Sequence, residues 1–386
     1  MYRFLVFISI VFIHIAALSD QPKSLIPAPP KINAKSYFLM DANTGTVIAQ
    51  KAADERLNPA SLTKVMTAYV VDYEIEQGTI NYDDVTTVSK KAWAKNYPGS
   101  SLMFLEVGKK VNVLDLMKGL IISSGNDAAV ALAEHTAGSE KSFVDLMNQH
   151  AKILGLNNTQ FSNVHGLTDK NNYSTARDMA LLSQAVINQF PESYGYYADK
   201  SFTYNGIKQY NRNRLLWRDN TVDGLKTGHT DAAGFCLIAS AKREDTRLIA
   251  VLMGTSSEEA RAREAQKLFS YGFRYFETKK LYDADQVIQQ FEVWGGREDS
   301  VGLKTQKAIY VTVPKTKVDD IQAKMVIDQY LKAPLNIDQS VGKLLLSLDG
   351  EVLSTFDLYP EKTIAKGGLF KVIWSNIKLF FYRLFN

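Results

Sequence analysis

The chain has 386 residues, 46% of them hydrophobic and 22% charged, with a formal net charge of +4. That balance describes a globular protein long enough for two domains. Its basic residues are spread along the chain rather than gathered with interleaved aromatics, which excludes nucleic acid as a partner.

Residues 1–19 read as an export signal. Arg3 gives a positive start, Phe4 to Ile15 is nearly unbroken apolar sequence, and Ala17-Leu18-Ser19 offers small residues for cleavage. The run is short for a membrane span, which needs about 20 residues. Cys236 is the only cysteine, so no internal disulfide can form. Its apolar surroundings, Gly234 to Ile238, point to a buried structural thiol.

A Pro-rich stretch makes residues 20–35 an extended lead-in. Residues 36–40 and 46–49 flank Asp41-Ala42-Asn43-Thr44-Gly45 as strand, turn and strand. Helical spacing follows over 65–77, 113–122, 127–136, 142–154 and 174–188. Strands are expected at 224–230, 234–241 and 248–254, with an amphipathic helix over 258–275. Strands, then helices, then strands and a helix indicate an α/β domain over 36–275, with an antiparallel sheet and a helical insertion. Residues 276–363 read as a smaller all-β domain, with Asp349-Gly350 as a hairpin turn. In residues 364–386, Phe370, Ile373, Trp374, Ile377, Phe380, Phe381 and Leu384 recur at helical spacing among Lys371, Lys378 and Arg383. This C-terminal amphipathic helix is expected to lie in a membrane surface.

Three short motifs carry the chemistry. Ser61-Leu62-Thr63-Lys64 sets a hydroxyl and an amine three residues apart at the start of a helix, where both share one face. Serine needs a positioned base to become a nucleophile, and a desolvated lysine can serve. Ser124-Gly125-Asn126 opens an Ala-rich helix with a hydroxyl able to relay a proton and a carboxamide able to bind an amide. Lys226-Thr227-Gly228 lies on an expected strand, where Gly228 lets a substrate peptide approach the backbone and add as a further strand.

The motifs occur in this order, about 60 and about 100 residues apart. Penicillin-binding proteins and class A β-lactamases share that constellation. The chain resembles the low-molecular-mass penicillin-binding proteins that act as serine D-alanyl-D-alanine carboxypeptidases. The runs Asn58–Thr67, Ile122–Ala128 and Gly224–Thr230 carry the resemblance, including the Ser-Gly-Asn form of the middle motif. It implies a β-lactamase-like α/β fold and removal of the terminal D-alanine from peptidoglycan stem peptides. β-Lactams are then covalent inhibitors, and the location is the periplasmic face of the bacterial inner membrane. Ser61 is expected to be the nucleophile, Lys64 its base, kept neutral by burial and by Lys226, and Ser124 the proton shuttle. Asn126, Lys226, Thr227, Gly228, His229 and Arg247 are expected to hold substrate, with Arg247 and Thr227 on its carboxylate and the backbone N–H groups of Ser61 and His229 on the oxyanion. His165 is expected to line the cleft. No metal or cofactor is called for.

Two other readings compete. A β-lactamase of class A needs a deacylating glutamate between the second and third motifs. None occurs between Glu140 and Glu192, so a penicilloyl ester should persist. An inactive membrane-held scaffold would have no need for all three motifs.

Overall fold

The computed structural model describes residues 26–327 and 330–385, so the expected signal segment lies outside the described residues. Strands β1 (Ser36–Asp41), β2 (Val47–Lys51), β7 (Val222–Thr230), β8 (Gly234–Arg243) and β9 (Thr246–Thr255) form one sheet in the order β2-β1-β9-β8-β7. All neighbours in it are antiparallel. β8 and β9 are buried along most of their length because both faces are covered. Helix α8 (Glu258–Tyr275) covers one face through Ala262, Ala265, Leu268 and Phe269. The other face meets the helical insertion, chiefly α1 (Thr63–Glu76) and α5 (Ala176–Gln189).

The insertion also contains α2 (Val113–Lys118), α3 (Asn126–Ala137), α4 (Glu140–Ile153) and the single-turn helices α6 (Pro191–Tyr194) and α7 (Leu215–Arg218). Polar caps start several of these: the side chains of Asn112, Ser139, Thr175 and Ser257 accept the N–H of the third residue of α2, α4, α5 and α8. Two small two-stranded ribbons, β3 (Val85–Thr87) with β4 (Lys110–Asn112) and β5 (Ser201–Tyr204) with β6 (Ile207–Tyr210), are not expected from the sequence. Strands of three or four half-exposed residues carry too little alternation to be read.

The all-β domain comprises β10 (Phe276–Tyr282), β11 (Val287–Glu292), β12 (Ser300–Lys304), β13 (Ile309–Pro314), β14 (Gln322–Ile327), β15 (Gly342–Leu348) and β16 (Glu351–Pro360). β10 pairs with β13, and the others form a sheet in the order β11-β12-β16-β15-β14. Its core is separate, built from Val301, Leu303, Val311, Leu344, Leu346 and Leu358 among others. A hydroxyl cluster joins it to the first domain. Thr278 donates to Asp41 Oδ2 at 2.7 Å, and Thr312 lies 2.9 Å from Thr278 and 2.7 Å from Thr44. The Asp41 carboxylate also accepts the N–H groups of Asn43 and Thr44, so its burial is compensated.

Helix α9 (Leu369–Phe385) lies on this second domain along one narrow stripe. Lys371 reaches the Arg297 carbonyl and Asp299, Ser375 accepts the Gly295 N–H at 2.7 Å, and Leu379 is buried. Leu369, Phe370, Trp374, Phe380, Leu384 and Phe385 remain exposed. Among the described residues, no helix is long and apolar enough to cross a membrane.

Candidate active site

A cavity of about 490 Å³ opens where the insertion meets the free edge of β7, lined by Ser61, Ser124, Asn126, Arg212, Thr227, Gly228, His229 and Arg261 among others. Ser61 sits in a short 3-10 turn, Ala60–Leu62, that leads into α1. Asn58 Oδ1 caps that turn by accepting the Ala60 N–H at 2.9 Å. Ala60 has φ +48°, a left-handed conformation uncommon for residues with a Cβ. Two glycines accommodate the turn. A Cβ on Gly166 would stand 1.9 Å from the Ala60 carbonyl oxygen, and one on Gly228 would stand 3.1 Å from the Ser61 nitrogen. The Ser61 turn is gripped between a loop and the edge strand.

Lys64 follows one turn later on α1, 1% exposed. Its Nζ donates to Asn126 Oδ1 at 2.7 Å and to the His165 carbonyl at 2.6 Å, and lies 3.1 Å from Ser61 Oγ. A neutral amine has two hydrogens and one lone pair. The two carbonyl acceptors take the hydrogens, which leaves the lone pair for the Ser61 O–H. Burial pulls the Lys64 pKa down to about 7, and Arg212 adds to this while Asp127 opposes it. Arg212 is a contributor the sequence did not reveal, and the Lys64–Lys226 interaction expected from the sequence acts on the Lys226 side of the pair.

α2 continues as a π-helical turn, Gly119–Ser123, and ends on Ser124 at φ +60° and ψ +34°. Such turns and left-handed residues cost free energy and recur at functional sites. The buried Ser124 Oγ has no hydrogen-bond partner among the described residues, so it is available to a substrate. Asn126 opens α3, its Oδ1 held by Lys64 and its Nδ2 donating to Ser100 Oγ at 2.8 Å. One Nδ2 hydrogen stays uncommitted for a substrate carbonyl.

On β7, Lys226 and Thr227 are buried and His229 is exposed, stacked on Phe235 at 4.0 Å. Lys226 has no carboxylate partner among the ion pairs of the described residues. Burial first, then the charges of Lys64, Arg212 and Arg261, hold its pKa well below the ordinary lysine value. His165 serves through its carbonyl rather than its ring. The ring accepts the Leu167 N–H at 3.2 Å, and burial followed by Lys64 lowers its pKa to about 4. No Ser-His-Asp triad is assembled here.

Arg247 is a correction. It pairs with Lys242 near the start of β9, at the end of the sheet remote from Gly228, and its guanidinium bonds Asp223 and Ser240, both at 2.8 Å. It does not line the cavity. Arg212 and Arg261 do, and the sequence reading missed both. Arg261, 3% exposed on α8, donates to the Gly228 carbonyl at 3.3 Å and lies 3.8 Å from Glu258. Arg212 donates to Ser101 Oγ at 2.7 Å. A signal for Arg261 existed: it sits in the buried stripe 261-265-268-272, where an arginine needs a reason. Cys236, opposite Gly228 on β8, is a buried free thiol.

A serine activated by a buried lysine, with a second hydroxyl and a cationic edge strand, defines an active-serine acyl-transfer enzyme of the penicillin-binding class. The sequence matches the D-alanyl-D-alanine carboxypeptidase family over residues 23–257 and the penicillin-binding protein 5 C-terminal domain over 276–366. It is 44% identical to the D-alanyl-D-alanine carboxypeptidase DacA of Escherichia coli K12 over 370 residues, covering 94% of this chain and 92% of that one. Penicillin-binding protein 5 from Haemophilus influenzae superposes with a TM-score of 0.82 at 43% identity, covering 88% of this chain and 100% of that one. Penicillin-binding protein D2 from Listeria monocytogenes, solved in a cefotaxime-bound form, gives a TM-score of 0.59 at 29% identity, covering 64% and 100%. The chain belongs to the D-alanyl-D-alanine carboxypeptidase family of low-molecular-mass penicillin-binding proteins, and it is a serine hydrolase of that kind.

Proposed function

We propose that Ser61 is the acyl nucleophile through which this enzyme removes the terminal D-alanine from peptidoglycan stem peptides. The carrying observation is the buried Lys64 amine, 3.1 Å from Ser61 Oγ and held by Asn126 Oδ1 and the His165 carbonyl, so that in its neutral form two hydrogens can go to those carbonyls and the lone pair to Ser61. Lys64 takes the serine proton as Oγ bonds to the carbonyl carbon of the penultimate D-alanine. The oxyanion is received by the N–H groups of Ser61 and His229, at the gap that Gly228 keeps open. Ser124 passes a proton to the leaving D-alanine nitrogen, and water then cleaves the ester. The peptide lies antiparallel along the free edge of β7, and Asn126 holds its amide. Its carboxylate meets Thr227 and the field of Lys226, Arg212 and Arg261, in the place first given to Arg247.

β-Lactams follow the same path and acylate Ser61, as the cefotaxime-bound relative suggests for its own site. The carboxylates lining the cavity, Asp231 and Glu258, are on the turn after β7 and on α8, far in sequence from the loop a class A lactamase uses. Labelling with fluorescent penicillin and release of D-alanine from a D-Ala-D-Ala peptide test the reading. Wild type should do both and Ser61→Ala neither. Fast penicillin turnover with the peptide left intact would favour the lactamase.

The cellular setting belongs to the same proposal: residues 1–19 direct export, 36–275 and 276–363 form the two domains, and 364–386 hold the protein to the periplasmic face of the inner membrane. Support comes from the exposed stripe of Phe370, Trp374, Phe380 and Phe381 on α9, opposite the stripe docked on the β domain. Deleting residues 367–386 should move the protein from the membrane to the soluble fraction. Continued sedimentation with membranes would remove the anchor assignment.

A further inference from the structure

The reacting groups sit on two elements, α1 and β7, that come from distant parts of the chain. Away from the cavity, two adjacent residues of α6 reach one carboxylate on each. Ser193 donates to Asp72 Oδ2 at 2.7 Å, and Asp72 lies on α1 two turns beyond Lys64. Tyr194 donates to Asp223 Oδ1 at 2.6 Å, and Asp223 lies on β7 three residues before Lys226. We propose that Ser193 and Tyr194 are positioning residues for acylation, a clip that fixes the spacing between the Ser61–Lys64 helix and the Lys226-Thr227-Gly228 strand.

Each end of the clip is itself held. Asp72 is 2% exposed and accepts a second bond from Tyr82 at 2.9 Å. Asp223 accepts Arg247 at 2.8 Å, and Arg247 also donates to Ser240, which ties the base of β7 to β8. Arg247 thereby finds a physical role away from substrate. The middle is stiff: Pro191 starts α6, and the Tyr194 ring stacks on the buried Tyr197 with centroids 5.7 Å apart. Asp72 is buried and Asp223 is half-buried; a buried carboxylate is costly, and a bonded network around it specifies one arrangement of the elements it joins. Position matters at this site because Lys64 and Lys226 feel each other's charge, so their spacing sets how readily each gives up a proton.

The proposal rests on acylation at Ser61, and wild-type labelling tests that separately. Tyr194→Phe keeps the ring stack and removes only the hydroxyl, and Ser193→Ala removes only the other donor. The full-length variants and the double variant are compared by the second-order rate constant for acylation by fluorescent penicillin from pH 5 to 10, and by thermal melting. A displacement of ~1 Å costs about 100-fold in rate, so a loosened clip should cost ~10-fold. Both single variants should lose acylation, their pH midpoints should move, and the double variant should lose no more than the worse single one, since either cut opens the clip. Tyr271→Phe, which removes from α8 a donor to the Pro27 carbonyl, away from both ends of the clip, should lower the melting temperature and keep the wild-type rate and midpoint. Melting losses with wild-type rates and midpoints, strictly multiplicative rate losses, or no change in any quantity would each overturn the proposal. Should one single variant fold poorly, the other still decides through its rate and midpoint.

Discussion

Deprotonation of Lys64 should govern acylation. A lysine at its ordinary pKa of 10.5 has ~3 in 10⁴ of its amine neutral at pH 7, whereas a pKa of about 7 makes half of it neutral. The folded site therefore supplies roughly 10³-fold more base at neutral pH, within the range a positioned general base contributes. The second-order acylation constant, which reports the free enzyme, should rise with pH and reach half its plateau near 7. Arg212 is a named cause of the depression, so Arg212→Gln should move the midpoint upward. Stability carries the opposite face of the same shift. Between pH 7 and 10.5 the unfolded chain binds the more protons at this position, so this group's contribution to stability rises with pH across that window and is at its most unfavourable below it. Its full size is on the order of 5 kcal/mol. Lys64→Met should accordingly gain more stability, or lose less, at pH 6 than at pH 9. A flat acylation profile from pH 6 to 9, or a midpoint near 10, would refute the neutral-lysine reasoning.

Two further expectations concern the walls of the site. Arg261→Gln removes a buried cation beside Gly228, and a charged hydrogen bond is worth ~1.5–3 kcal/mol, so kcat/KM for a D-Ala-D-Ala peptide should fall ~10- to 100-fold. Steady-state assays on peptides with free and amidated C-termini check this, and an equal loss on both would argue against carboxylate recognition. Gly166→Ala places a Cβ against the Ala60 carbonyl at φ +84°, where backbone strain alone costs ~1–3 kcal/mol. It should lower both the melting temperature and the acylation rate, and unchanged values would show that the nucleophile turn does not depend on that loop.

Much of this site was legible as short motifs because the chemistry demands local spacing. Ser61 and Lys64 must share a helical face, and Gly228 must leave room at an edge strand; both requirements leave marks within a few residues. The long helices and central strands could be read for the same reason, since apolar period follows local geometry. The small ribbons could not, having too few residues to show a period. The sequence pointed to Arg247 rather than Arg261 as the cavity arginine because both adjoin expected elements that follow the third motif. Only the register of β9 against β8 and the packing of α8 send one to the far end of the sheet and the other to the cavity.

The sequence by itself determined the reaction class and pointed to Ser61 and Lys64 as the candidate nucleophile and base, since these depend on residue types at fixed local offsets. The tertiary structure decided what makes the base work: the two carbonyls that take its hydrogens, the burial that lowers its pKa, and the arginines that set the field. Those depend on residues 62 to 197 positions away from Lys64, such as Asn126, Arg212 and Arg261, and no local pattern encodes such meetings. They arise only when the sheet, the insertion and α8 close around one cavity.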